Sequence, residues 1–257
     1  MKIGIIGGGA MGGAFARGLL KSSQFSPDEI IISDPVTSHL QDLKNEGVEI
    51  TSSNKETAEK ADFLVVAVKP WLVGEVISEI RNVINPEKTE ICFIVAGIKA
   101  KTLMEMFDGY NPAKISIAIP NTAMALGESM TFIVPVNGKP VIANDLFGLM
   151  GKVMIIEERL LPGATALASC GLAYAMRYVR AACEGGVELG FKAAMAQEII
   201  TQTLAGVVAL LRQDGSHPET EIDKVTTPGG ITIRGLNEME RNGFTNAVIQ
   251  GLKASVS

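Results

Sequence analysis

Lys2-Ile3-Gly4-Ile5-Ile6-Gly7-Gly8-Gly9-Ala10-Met11-Gly12 begins with a short apolar run that passes at once into consecutive glycines and then a helical pattern. Isoleucine dominates Lys2 to Ile6, as expected for a buried strand. Past the glycines, Met11, Ala14, Phe15, Gly18 and Leu19 recur on one helical face, while Arg17 and Lys21 fall outside it. Strand, turn and helix in that order are the setting that a G-x-G-x-x-G match needs in order to bind a dinucleotide. Gly7 provides the tight turn, Gly9 the close approach of diphosphate to backbone, and Gly12 the packing of helix against sheet, with Ala10 and Met11 completing the cofactor-binding turn.

The next strand, Glu29 to Ser33, ends at Asp34, about twenty residues beyond the last glycine. Such folds place there the acid that grips the adenosine ribose. A carboxylate accepts from both ribose hydroxyls and repels a 2′-phosphate, so the cofactor is NADPH or NADH, with Asp34 leaning toward NADH. Ser33, Thr37 and Ser38 could donate to a phosphate, yet no arginine adjoins Asp34 to neutralise one.

Apolar runs at Phe63 to Val68, Ile91 to Ala96 and Ile115 to Ile119 read as further buried strands, with helical patterns at Val73 to Ile84 and Thr102 to Phe107 between them. Thr131 to Pro135 and Lys152 to Ile156 suggest edge strands. This alternation predicts an α/β fold, a Rossmann-type doubly wound parallel sheet followed by an all-helical C-terminal domain. The boundary falls where strand patterns cease, giving a dinucleotide-binding domain over 1–159 and a substrate and dimerisation domain over 160–257. The loops after the strands carry further cofactor-binding candidates: Ala67, Val68, Lys69 and Pro70 after the third strand and Ala96 after the fourth. Pro70 forces Lys69 into an extended conformation. Pro120-Asn121-Thr122 follows the fifth strand, and Asn121 is a substrate-binding candidate.

With 257 residues, 47% hydrophobic, 27 glycines and a net charge of −5, the chain can bury a sizeable core and more than one domain. Acidic balance and the lack of a Lys/Arg cluster argue against a nucleic-acid partner. Cys92, Cys170 and Cys183 show no C-x-x-C pairing and read as buried thiols. With His39 and His217 as the only histidines, neither a metal cluster nor a serine triad has its parts, so no metal is expected. The apolar start is too short for a signal peptide, and no later run reads as long enough to span a bilayer. The expectation is a cytoplasmic enzyme with no membrane partner.

Near the far end, Val225-Thr226-Thr227-Pro228-Gly229-Gly230-Ile231-Thr232-Ile233 leads into the charged, amphipathic segment Arg234 to Gly243. Thr227 can cap a helix and Pro228 suits its first position, leaving the N–H groups of Gly229, Gly230 and Ile231 to face a small anion. A carboxylate fits there. The preceding helices, about Thr165 to Leu189 and the stripe Met195 to Leu211, are apolar over most of their circumference, as helices buried against another subunit are. Asp214 to Pro218 closes the second of them, and His217 reads as a polar residue in a turn.

Together, the Gly-Gly-Gly-Ala-Met-Gly turn, Val68-Lys69-Pro70, Pro120-Asn121-Thr122 and Thr227-Pro228-Gly229-Gly230-Ile231-Thr232 resemble the pyrroline-5-carboxylate reductases over nearly the full length. The resemblance implies hydride transfer from NAD(P)H to the C=N bond of a cyclic imino acid, giving L-proline. It implies cofactor contact at Asn54. It also implies that Thr227, Gly229, Gly230 and Ile231 hold the ring carboxylate and that Thr232, the catalytic candidate, lies beside the ring nitrogen. An intertwined homodimer or a multiple of dimers is implied, with one subunit's cofactor domain meeting its partner's substrate loop. Departures occur where the family reads Ser-Gly-Ser-Gly-Pro-Ala-Tyr and this chain has Ala168-Ser169-Cys170-Gly171-Leu172-Ala173-Tyr174. Arg180 stands for a glutamate, Ala10 for an asparagine and Ala123 for a proline. A reductase of a related cyclic imine therefore stays open. A 3-hydroxyacid-type dehydrogenase would need a lysine base where only Arg177 and Arg180 lie, and a nucleotide sensor would discard the Thr227 to Thr232 block.

Overall fold

The computed structural model describes residues 1–107 and 114–256. Strand β1 (Ile3–Ile6) is buried along its whole length and lies parallel between β2 (Ile30–Ser33) and β4 (Phe63–Val66). β3 (Glu49–Thr51) flanks β2, and β5 (Glu90–Phe93) and β6 (Ile115–Ile119) continue beyond β4, all parallel. β7 (Ser129–Asn137) then runs antiparallel to β6, with β8 (Gly151–Ile155) parallel to β7. In the order β3-β2-β1-β4-β5-β6-β7-β8, the direction of winding changes between β1 and β4. That switch point is where open α/β sheets bind ligands.

The sequence suggests edge strands at Thr131 to Pro135 and Lys152 to Ile156, but β7 is longer and interior, and of these two only β8 lies at an edge, opposite β3. The reversal has a local cause. A short helical turn at Thr122–Leu126 joins β6 to β7. Such a connection suits an antiparallel return, because a parallel one needs a crossover of a dozen or more residues. Elsewhere the apolar runs outlast the strands: β4 stops at Val66 and β5 at Phe93. Hydrophobicity reports burial, whereas a strand requires ladder partners, so the two diverge where the chain turns away at the strand ends.

Helices α1 (Ala10–Lys21), α2 (Gln41–Glu46), α3 (Asn54–Lys60), α4 (Val73–Ile80), α5 (Ala100–Met106) and α6 (Val141–Gly148) cover the two faces of the sheet. Alternate strand residues serve alternate faces. Ile5, Phe63 and Val65 pack with α1, α2 and α6, where Phe15 and Phe147 meet with ring centroids 5.1 Å apart. Ile6, Leu64 and Val66 pack with α3, α4 and α5, and here Phe93 meets Phe107 edge-on at 6.3 Å. Glu90, fully buried on β5, accepts hydrogen bonds from the N–H groups of Ile142 (3.2 Å) and Ala143 (2.7 Å). It thereby satisfies the start of α6 from inside the core, where Pro140 supplies no side-chain cap.

The chain divides into two compact units, Met1–Ser169 and Cys170–Ser257, a boundary ten residues later than the change from strand to helix patterns suggests. Helix α7 (Leu161–Thr165) buries Leu161 and Ala164 in the second core layer of the sheet, so it belongs to the first unit despite its helical pattern. A π-helical turn at Ala166–Cys170 follows, so the helix expected from Thr165 to Leu189 is interrupted. The second unit comprises α8 (Gly171–Glu188), α9 (Ala193–Leu211), α10 (Pro218–Lys224), α11 (Ile231–Arg241) and α12 (Phe244–Ala254). Among its described residues Ala196 alone is buried.

Two expectations need correction. Only Cys92 is a buried thiol, its pKa pushed up to about 12 by that burial, whereas Cys170 and Cys183 are half-buried and all three are free. In addition, α9 has 19 residues at a mean hydropathy of 1.4, enough by length and composition to cross a bilayer. Gln197, Glu198 and Gln202 interrupt its apolar run, which is why a search for unbroken runs passes over it.

Candidate active site

At the end of β1 the chain turns through Gly7 at φ 97°, a left-handed conformation that glycine accepts readily. A Cβ on Gly7 would lie 2.5 Å from the carbonyl oxygen of Ala67. One on Gly12 would lie 1.9 Å from the carbonyl oxygen of Gly7 and 3.1 Å from the Ile5 side chain, so Gly12 closes α1 onto the turn itself as well as onto the sheet. Gly9 differs: no protein atom comes within 4 Å of a Cβ there. It is the N-cap of α1 and has no side-chain cap, so the first amides of the helix meet open space. Uncapped amides, the positive end of a helix and no side chain in the way fit a diphosphate.

This turn lines a cavity of about 560 Å³. Of the twelve cofactor-binding candidates, the cavity wall takes in Gly7, Gly9, Ala10, Met11, Asp34, Asn54, Ala67, Val68 and Lys69. Gly12 lies outside the wall, held against the turn. Pro70 opens a short helical turn at Pro70–Leu72 and is absent from the wall; Lys69 before it is extended at φ −65° and ψ 145°, the conformation a following proline imposes. Ala96 sits in an exposed turn beyond the end of β5, and Ile94 reaches the cavity from that strand end instead.

Asp34 accepts hydrogen bonds from the N–H groups of Gly8 (2.8 Å) and Val36 (2.9 Å), which fix its carboxylate at the end of β2. His39 stands beside it, with Nε2 3.1 Å from the Gly8 carbonyl oxygen and 3.9 Å from the Asp34 carboxylate. The Ser33 hydroxyl donates to Asn54 Oδ1 at 2.8 Å, and Asn54 Nδ2 donates to Glu79 at 2.7 Å. Leu72 and the α4 residues Glu75, Val76 and Glu79 line the same cavity, and reasoning confined to the loops after strands misses them. Their spacing is the signal that could have found them, since these positions share one helical face.

Asn121 is 7% exposed and its side chain is spent locally. Oδ1 accepts from the Ala123 N–H at 3.0 Å and Nδ2 donates to the Ala168 carbonyl at 3.2 Å, while the Ser169 hydroxyl donates to the Pro120 carbonyl at 3.4 Å. Asn121 thereby ties the exit of β6 to the π-helical turn.

In the second unit, the Thr227 block departs from the expected capping. Thr227 to Gly230 form a turn closed by the Gly230 N–H donating to the Thr227 carbonyl at 3.0 Å, with Gly229 at φ 69°. Proline second and a left-handed glycine third is type II turn chemistry, so Pro228 opens a turn rather than a helix. Helix α11 starts three residues later, at Ile231, with Gly230 as its N-cap and no side-chain cap. A Cβ on Gly230 would lie 2.6 Å from the Thr227 hydroxyl, whereas nothing lies within 4 Å of one on Gly229. Of the expected amides, that of Gly230 is taken up by the turn, while the first turn of α11 adds the amides of Thr232 and Ile233 to that of Ile231 with no side-chain cap. Ile231 is 79% exposed and Thr232 is exposed beside it. His217 caps α10 by accepting from the Glu219 N–H at 3.3 Å, in keeping with a turn residue. Arg180 pairs with Glu184 at 3.1 Å on the surface of α8.

Comparison with known proteins gives a consistent result. A family model described as pyrroline-5-carboxylate reductase dimerisation matches residues 158–257, and one described as NADP oxidoreductase, coenzyme F420-dependent matches residues 2–89. Pyrroline-5-carboxylate reductase 2 of Dictyostelium discoideum is 35% identical, over 99% of this chain and 90% of the relative. The corresponding reductase of a Synechocystis species is 31% identical over 99% and 96%. Among solved structures, Plasmodium falciparum pyrroline carboxylate reductase with NADP bound superposes with a TM-score of 0.89 at 27% identity, covering 100% of this chain and 95% of that one.

Proposed function

Because this chain belongs to the pyrroline-5-carboxylate reductase family, we propose that it is an NAD(P)H-dependent oxidoreductase that reduces the C=N bond of 1-pyrroline-5-carboxylate to give L-proline. The observation that carries this reading is the start of α11: a type II turn with no side-chain cap, presenting amides beside an exposed hydroxyl, in the unit that follows a dinucleotide-type sheet. A small ring bearing a carboxylate and an adjacent imine nitrogen matches amides and hydroxyl together.

The bound dinucleotide supplies the hydride for the imine carbon. The first-turn amides of α1 would hold its diphosphate and Asp34 would take the adenosine ribose with Asn54 nearby, while Ala67 to Lys69 line the cavity past the end of β4. A protonated imine is already a strong electrophile, so the protein's main tasks are to orient it and exclude water. The amides of Ile231, Thr232 and Ile233 neutralise the carboxylate, and the Thr232 hydroxyl holds the ring nitrogen whose lone pair appears as the carbon is reduced. No ionisable acid is required in this block.

Asp34 and the absence of an adjoining arginine support NADH over NADPH. The exposed apolar helices of the second unit support a homo-oligomer built on dimers, and three free cysteines suit the reducing cytoplasm. The test is oxidation of NADH and of NADPH in the presence of 1-pyrroline-5-carboxylate and of its six-membered homologue. Turnover is expected with the five-membered ring. Tight dinucleotide binding without turnover on either ring would overturn the assignment.

A further inference from the structure

The adenosine side of the cavity carries more negative charge than ribose recognition requires. Asp34, Glu75 and Glu79 all line it, and Lys69 is the one cation among the described residues of the wall. Glu75 and Glu79 stand one helical turn apart on α4, a spacing at which like charges repel. Glu79 is half-buried and accepts from Asn54 Nδ2 at 2.7 Å, while Asn54 Oδ1 accepts from the hydroxyl of Ser33, the neighbour of Asp34. The Ser33–Asn54–Glu79 chain therefore fixes which way the Asn54 amide points and sets a second carboxylate behind the end of β2.

We propose that Glu79 is a positioning and specificity-determining residue of this reductase: it orients Asn54 toward the cofactor's ribose and, with Asp34, excludes a 2′-phosphate electrostatically. The inference rests on the reductase reading and adds a residue to it. A 2′-phosphate brings close to two further negative charges into a recess that already holds carboxylates, and the wall offers no guanidinium to receive it. NAD⁺ lacks that group and meets only the hydrogen-bonding side of the arrangement. Asp34 cannot swing aside to relieve the repulsion, because backbone N–H groups hold both of its oxygens.

The two roles separate by substitution. Glu79→Gln removes the charge and keeps an oxygen that can accept from Asn54, whereas Glu79→Ala removes both. The full-length protein, without imine substrate, is titrated with NAD⁺ and with NADP⁺ by calorimetry. Glu79→Gln is expected to tighten NADP⁺ about fivefold while moving NAD⁺ less than about twofold, and Glu79→Ala to weaken NAD⁺ about threefold through the released Asn54. In the unmodified protein, raising ionic strength from about 0.05 to about 0.5 M should narrow the gap between the two dinucleotides, as screened repulsion requires. In Glu79→Gln that narrowing should shrink. An unchanged NADP⁺ to NAD⁺ ratio in Glu79→Gln, or a gap insensitive to salt, would overturn the inference and leave the reductase assignment standing. Failure of the unmodified protein to bind either dinucleotide would overturn both.

Discussion

The two units of this chain spend their hydrophobic residues in opposite ways. In the first, residues on both faces of every central strand are buried, and five phenylalanines, Phe15, Phe63, Phe93, Phe107 and Phe147, are almost wholly removed from water, although Trp71 stays exposed. In the second, Met176, Val187, Leu189, Phe191, Met195, Ile199, Val207, Val208 and Leu210 are each more than 40% exposed. A sheet covered by helices on both sides closes its own core. Helices apolar over most of their circumference cannot all face inward in a five-helix unit, so the excess awaits another surface. The first unit thus closes its own core, while the second leaves apolar surface uncovered in the single chain, in keeping with its match to a dimerisation family model.

The strongest test of that contrast is truncation in the first unit. Phe147→Ala removes one partner of the Phe15 ring contact and should cost about 3–5 kcal/mol in denaturant unfolding. The loss should not depend on protein concentration. In the second unit, Val207→Glu places a charge on the exposed apolar surface of α9. It should weaken self-association at least about tenfold, or about 1.4 kcal/mol, in sedimentation equilibrium. An oligomer of unchanged mass would break the comparison.

The starts of α1 and α11, both without a side-chain cap, allow a finer contrast. Gly230→Ala pushes a methyl group against the Thr227 hydroxyl, and we expect the KM for 1-pyrroline-5-carboxylate to rise about tenfold with dinucleotide affinity unmoved. Thr232→Ala should lower kcat about fivefold, again without changing dinucleotide binding. A shift in dinucleotide affinity in either variant would remove the division of labour between the two glycine turns. The smallest effect lies on the surface of the first unit. Glu49 has a carboxyl pKa below its ordinary value of 4.5, chiefly because Lys60 and then Lys2 donate to it. A depressed carboxyl contributes stability above the unfolded pKa and loses it as pH falls through the folded one. With the side chain 37% exposed, screening limits the contribution to under about 1 kcal/mol. Glu49→Gln should lower Tm slightly at neutral pH and leave it unchanged in strong acid.

Much of the site was legible because its signals are local. The glycine turn needs backbone conformations and close approaches that only glycine tolerates, and the acid at the end of β2 follows at a spacing that the strand and helix lengths impose. Asn121 shows the opposite case. Its residue type suggests a ligand contact, but which groups of the chain its amide meets depends on what packs beside it, here the π-helical turn at Ala166–Cys170. Glu79 was overlooked for a similar reason, since it lies on a helix far along the chain from the turn whose cavity it lines.

The amino-acid order alone determined the alternation of elements, the dinucleotide-type turn and the family, because each rests on contacts within a few residues or on periodicity. Only the folded chain decided that β7 lies inside the sheet, that α7 joins the first unit and that Glu79 lines the same cavity as Asp34. Those outcomes depend on competition among partners distant along the chain for the same hydrogen bonds and the same buried space, and a linear reading does not contain that competition.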